Sequence, residues 1–436
     1  FKLNQKVMSE SAFFEILSDQ FQGAAIYQEV YYRDLLTNQW VENDTLIVID
    51  DVLILVEAKS GAAATIASPE LDYSRHTQAI QDLIIKAYRQ CKRFFEYLNT
   101  GGDKSIYKLE GGRYTECGKL NRAAYRVMIP VGLTVESFSP FSSMSKELPE
   151  IEPLLGKYPF ISLSIDDLFV LKRFLPTMGQ LAHYLEVRQT VSGIKGALLF
   201  DEHDHLGAYI SRNRFDVDIQ QQQDEGSPDL ITWTGMSEIV DSYFKGDDWS
   251  NRPIPTQEFP DSVSNLLSAL DKTRKQGWLS IDSQIRDAGA DGRNDLGNML
   301  LALIATLDER PYRYFLSLGD PALFIWLQQS QMPCDILMLK NRAAAVGLAN
   351  GLNYMNGVVA SVDPSGAIYS AERVEIEIPT SRTEQNYHLY EESERIVKNQ
   401  MAKRASVKKP IPNQRLGRNE KCWCGSELKY KKCHGK

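Results

Sequence analysis

Residues 45–56 constrain this chain more than any other stretch. They read Thr-Leu-Ile-Val-Ile-Asp-Asp-Val-Leu-Ile-Leu-Val: two apolar, β-branched runs of five residues split by Asp50-Asp51. Runs of that length and composition, broken by two turn-forming residues, predict the strands of a hairpin. With the two aspartates as the turn, Ile49 opposes Val52 and paired positions sum to 101. Asp44 then falls opposite Glu57, and Glu42 opposite Lys59. Side chains alternate between faces along a strand, so all four polar groups are expected on one face at the open end of an apolar hairpin. A slip of one residue separates them.

Directly opposed residues have Cβ atoms roughly 4.5–5.5 Å apart. Two carboxylates that close repel unless a cation or a proton lies between them. An oxygen-only pair suits a hard ion such as Mg²⁺, which keeps several of its waters. Lys59 is then expected beside a metal-bound water, an arrangement equipped to hydrolyse a phosphodiester. Charged residues also flank many strands whose ends only face water, and the pattern alone leaves both readings open.

The flanking sequence fits an α/β domain over about 1–190. Residues 9–22 read as a helix, 24–33 as a strand, and 77–98 as a strong amphipathic helix with Ile80, Leu83, Ile84, Ala87, Cys91, Phe94, Phe95 and Leu98 on one stripe. A polar loop or hairpin over 99–120 leads to strands at 125–135 and 160–165. A long helix over Asp166–Arg188 follows, kinked near Pro176. Residues 191–395 read as an α+β domain without evident chemistry. It includes a helix at Leu296–Leu307 and strands across 357–378 with a turn at Pro364–Gly366. Residues 396–415, with Lys408-Lys409-Pro410, read as a basic linker.

Asp44 followed by Glu57-Ala58-Lys59, with an apolar strand before Glu57, resembles the core of the PD-(D/E)XK nucleases, the restriction-endonuclease-like superfamily. The resemblance covers 1–100 well and 100–190 loosely, and it implies an α/β/α core. It also implies that Asp44 and Glu57 bind Mg²⁺ or Mn²⁺ with the Ala58 carbonyl, and that Lys59 positions the attacking water. Glu15, in the first helix, matches an acidic residue that some members carry. Gln90 matches a glutamine that many members carry on the helix after the core; its other reading is simple polarity at the helix edge. Asn43 stands where the motif's name has proline. DNA is the implied substrate, in bacterial defence against foreign DNA, and cutting both strands makes a dimer an expectation.

The last residues carry a second signal. Cys422, Cys424, Cys433 and His434 lie within 13 residues, with Gly425 after the first pair. Three cysteines and a histidine at this spacing suit a tetrahedral zinc ion, whose binding supplies the folding energy of so short a segment. Leu416–Lys436 resembles the SEC-C motif, the zinc-binding tail of the preprotein translocase ATPase, and so implies a small zinc knuckle over 416–436. The resemblance implies a docking module for a ribosome, nucleic acid or protein partner. The alternative to an enzyme is therefore a catalytically silent nuclease-like adaptor that docks through this tail.

Charge is uneven. Residues 398–436 hold twelve Lys or Arg and two Glu, a net of +10 in a chain whose total is −8. Either the tail meets a polyanion or its charge serves solubility. No apolar run reaches the roughly 18 residues of a membrane span. The chain begins with Phe1 and shows no basic-then-apolar leader, so part of the natural N-terminus is expected to be absent and a secretory route is not expected. The scattered Cys91, Cys117 and Cys334 suit a reducing, cytoplasmic setting. Asp201-Glu202-His203-Asp204-His205 reads as an exposed acidic loop rather than a metal site, and His76 and His183 as ordinary surface or helix residues. There is no Gly-x-Ser-x-Gly elbow and no phosphate-binding Gly-x-x-x-x-Gly-Lys-Ser/Thr loop.

Overall fold

The apolar hairpin forms in the middle of a seven-stranded sheet. The structure, a computed structural model, describes residues 2–59, 73–226, 230–332, 335–406, 419–421 and 429–433. Helix α1 (Lys2–Ile16) leads to β1 (Ala25–Arg33), β2 (Trp40–Ile49) and β3 (Val52–Lys59). Helix α2 (Tyr73–Asn99), the hairpin β4 (Lys104–Glu110) and β5 (Arg113–Leu120), then β6 (Val127–Thr134) and β7 (Ile161–Ser164) complete the sheet. Its order is β5-β4-β1-β2-β3-β6-β7. The first five strands pair antiparallel, whereas β6 joins β3, and β7 joins β6, in parallel.

The stripe on α2 buries Ile80, Ile84, Ala87, Cys91, Phe94, Phe95 and Leu98 against Val30, Tyr32, Leu46, Leu53 and Leu55. That burial is what turns a polar-backed helix into a fixed layer on the sheet. Helix α1 packs on β2, β3 and β6. The β2–β3 turn uses Asp50 at φ 51°, a left-handed conformation that Asp tolerates and that a two-residue hairpin turn needs.

The segment expected as one kinked helix is two, α3 (Ile165–Phe174) and α4 (Met178–Val191). Each opens on its own capping box, at Ser164 and at Thr177, so Pro176 separates helices instead of bending one. The short strands β8 (Ala197–Leu198) and β9 (Ile231–Thr232) pair in parallel. Around them lie α5 (Glu202–Arg212), α6 (Phe215–Asp224), α7 (Glu238–Phe244), α8 (Asp261–Thr273), α9 (Trp278–Asp287) and α10 (Ala290–Ile304).

The expected acidic loop is in fact the start of α5. Asp201 caps the helix, and Glu202, Asp204 and His205 are buried. Charge misleads here because Glu202 is paired inside, accepting from the Arg188 guanidinium at 3.0 Å and from the Tyr184 hydroxyl. His183 is likewise buried, between the Tyr209 hydroxyl at 2.8 Å and Asp287 at 3.1 Å.

Contacts divide the chain into two compact units, Phe1–Glu309 with Ala360–Arg373, and Arg310–Val359 with Val374–Lys436. A second sheet, lying mostly in the latter unit, runs β10 (Tyr312–Ser317), β11 (Ala322–Gln329), β12 (Met355–Val362), β13 (Ile368–Val374) in that order. The second unit adds α11 (Ile336–Ala349) and α12 (Tyr387–Ser406), and its core gathers Phe324, Trp326, Leu339, Ala343 and Val346. The chain is thus mixed α/β with several sheets. No helix of the described residues is long and apolar enough to cross a membrane.

Candidate active site at the open end of the hairpin

The β2–β3 ladder runs from Ile49↔Val52 to Thr45↔Val56, every pair summing to 101. Beyond Thr45 it gives way, and β1 changes at the same rung. There β1 pairs Gln28 with Thr45 and Val30 with Asn43, but no pair joins Glu29 to Asp44. Glu29 sits at φ 48°, and Gln28 and Glu29 are both exposed. The core-facing side changes parity across this point: Leu46 and Val48 pack inward before it, and Val41 after it. Each strand therefore switches faces here with the β1–β2 register unchanged, and the side chains are re-aimed.

The switch decides which groups meet. Glu57 continues the inward row of Leu53 and Leu55 and has no solvent exposure. Its neighbour across the strands is Asn43, whose side-chain amide donates to Glu57 Oε1. Asp44 fills the gap in the ladder: its Oδ2 accepts the Ala58 backbone N–H at 2.7 Å, a bond a strand carbonyl would otherwise take. Glu42 does not reach Lys59, because its carboxylate accepts from the Tyr31 hydroxyl at 2.9 Å on β1.

Lys59 sits among three oxygens. Its ammonium lies 2.9 Å from the Ala58 carbonyl, 3.3 Å from Glu57 Oε2 and 3.4 Å from Asp44 Oδ2. One cation thus stands where two carboxylates and a carbonyl converge. The charge is not fully offset: burial, and next the Asp44 charge, push the Glu57 carboxyl up to about 8 despite Lys59 and Asn43. Burial raises the nearby Cys91 thiol too, with Glu57 the next cause.

Asp44 opens on a cleft of about 430 Å³ shared with Glu10, Glu15, Glu29, Glu110 and Lys108, five carboxylates in all against one lysine. Glu15 is exposed on α1 and borders this cleft. Gln90 is half-buried on α2 beside Cys91, and among the described residues it makes no hydrogen bond to the cluster. The structure therefore brings Asp44, Glu57, Ala58 and Lys59 to one point and sets Glu15 on the approach. In the sequence Asn43 registers only as a replacement for proline. The available signal was a lone amide, between two acids, in a strand about to become apolar.

The donor set fits a hard divalent cation. Its three atoms are all oxygen, and they already surround an ammonium. Among the described residues no group of three or more His, Cys, Asp or Glu side chains could hold a metal. A site with two carboxylates and a carbonyl is the sparse kind that suits Mg²⁺ with its retained waters.

In the tail, Cys422, Cys424 and His434 lie outside the described residues, as does the side chain of Cys433. The described flanks come together: Lys421 bridges Lys429, the Tyr430 N–H donates to Glu420 O at 2.7 Å, and a helical turn, α13 (Tyr430–Cys433), follows. Residues 418–436 match the SEC-C motif family. No curated protein and no solved structure matches the chain.

Proposed function

We propose that this chain is a metal-dependent nuclease of the PD-(D/E)XK type, with a restriction-endonuclease-like core that hydrolyses DNA phosphodiesters, and that its SEC-C tail binds zinc and docks the enzyme. The observation that carries this reading is the convergence of Asp44 Oδ2, Glu57 Oε2 and the Ala58 carbonyl on one cation position. Mg²⁺ or Mn²⁺ held there supplies charge neutralisation and an acidified water. Asp44 and Glu57 then bind the ion, and Asn43 holds the Glu57 carboxylate in place. Lys59, whose ammonium lies at that position, would orient the attacking water and donate to the scissile phosphate. Glu15 lies on the approach.

The test is cleavage of plasmid and oligonucleotide DNA with Mg²⁺ or Mn²⁺. Cutting that disappears in both Glu57→Ala and Lys59→Ala supports the site, and cutting that survives either change refutes it. For the tail, metal analysis should return one zinc per chain, lost in Cys424→Ser; a zinc-free wild type refutes that claim.

A second reading draws on the five carboxylates of the cleft, which repel a polyanion in the absence of metal. On it the core is a silent scaffold and the protein an adaptor docking through its tail. Persistent inactivity with divalent-metal binding intact at Asp44 and Glu57 favours the adaptor.

A further inference from the structure

The sheet is not finished alike on its two sides. One side of β1, β2 and β4 is buried under α2, through Val30, Tyr32, Leu46 and Ile106. The other carries a cluster of four half-buried rings: Tyr31 on β1, Trp40 on β2, Tyr107 on β4 and Tyr114 on β5. Trp40 and Tyr114 stack with centroids 3.8 Å apart at 17°. Tyr107 meets Trp40 edge-on at 5.0 Å, and Tyr31 meets Tyr114 at 5.3 Å. Leu109 of β4, 45% exposed, continues this surface to the cleft that holds Asp44.

Charge around the rings favours a polyanion. The hairpin Lys104–Leu120 carries four lysines or arginines against two glutamates, in a chain with a net charge of −8. Two acids of this surface have partners on it, Glu42 accepting from the Tyr31 hydroxyl and Glu116 lying 3.9 Å from Lys119, while Glu29 and Glu110 line the adjoining cleft with Lys108. Arg33, beside the rings, is exposed, and among the described residues its Nε makes one long contact, 3.4 Å to the Asn38 carbonyl.

We propose that this ring cluster is a stacking platform for unpaired bases, so that the site at Asp44 is fed with single-stranded DNA. The proposal rests on the nuclease reading for the role of the cleft. A duplex keeps its base faces covered, whereas an unpaired strand offers every base to an aromatic surface without sequence preference. Arg33 and the cationic hairpin take the phosphates, and Leu109 passes the strand toward the cleft.

The experiment uses the full chain in EDTA, so that nothing is cut, and follows the anisotropy of a fluorescein-labelled oligothymidylate and of a duplex of equal length. The single strand should bind more tightly, and Trp40→Ala should weaken it by about tenfold while changing duplex binding little. Trp40→Ala can disturb the strands it packs on, so Arg33→Glu, on an exposed side chain, is the second variant, and it should weaken single-strand binding and flatten its salt dependence. The basic tail is common to all these proteins and cancels when each variant is compared with the wild type on the same DNA. Equal or tighter duplex binding, or single-strand binding unchanged in both variants, overturns the platform. A variant that shifts only the oligomeric state assigns the surface to a second copy and overturns it as well. Single-strand preference that depends on Trp40, in a protein that never cuts with Mg²⁺ or Mn²⁺, keeps the platform and removes the nuclease.

Discussion

The β2–β3 hairpin carries carboxylates at both ends, and the two ends neutralise them differently. At the turn, Asp50 accepts the backbone N–H groups of Gly277 at 2.5 Å and Leu279 at 2.8 Å, capping α9, which has no side-chain cap of its own. Asp51 pairs with Arg126 at 2.9 Å, and Arg126 also grips Glu186 through both terminal nitrogens. At the open end, Asp44 and Glu57 share Lys59. Burial raises Asp51 as it raises Glu57. The largest further influence on Asp51, however, is the opposing charge of Arg126, whereas on Glu57 it is the like charge of Asp44. One end is closed by the protein itself. The other is left short of positive charge, which is what a site for an added cation requires.

That difference can be broken from either end. The largest effect expected is on cutting: Glu57→Ala should lower metal-dependent cleavage by at least about a hundredfold, read from plasmid nicking. Next comes stability at the turn. Arg126→Met strands Asp51 and Glu186 and should cost on the order of 2 kcal/mol in chemical denaturation. Asn43→Ala releases Glu57 and should weaken Mn²⁺ binding by about tenfold, as loss of an outer partner of a metal ligand does. The smallest effect has the opposite sign. In EDTA at neutral pH, Glu57→Gln should stabilise the fold by about 1 kcal/mol, because an amide at this buried position spares the fold the uptake of a proton that the unfolded Glu57 does not hold.

The pH dependence follows from the direction of the Glu57 shift. Its folded-state value, about 8, lies above the ordinary value of 4.5, so the folded state binds more protons between the two. Its contribution is complete below 4.5 and is lost as pH rises toward about 8. Denaturation midpoints across that window should fall more steeply in the wild type than in Glu57→Gln. Parallel slopes would remove Glu57 as the strained group.

Much of the hairpin was legible because its signals are local. Two apolar runs and a two-residue break define the register from Ile49↔Val52 outward, and the stripe on α2 identifies the layer that covers it. The face switch at Asp44 was not legible. It depends on Glu29, on another strand, adopting a positive φ, and no composition rule marks a glutamate for that. This is why Glu42, expected beside Lys59, joins Tyr31, and why Asn43 is a partner of Glu57. The docking of Asp50 on α9 was equally hidden, since its partners lie 227 and 229 residues away. A polar run such as Asp201–His205 reads as surface until Arg188 is known to wait for Glu202 inside.

The central claim is that the open end of the hairpin is a divalent-cation site in which Lys59 holds the ion's place. The most direct measurement is Mn²⁺ binding to zinc-loaded protein, followed by loss of the free-ion paramagnetic resonance signal in wild type, Asp44→Asn and Glu57→Gln. The account predicts one Mn²⁺ bound per wild-type chain and none at that affinity in either variant. Equal binding in all three proteins, or none in the wild type, would contradict it.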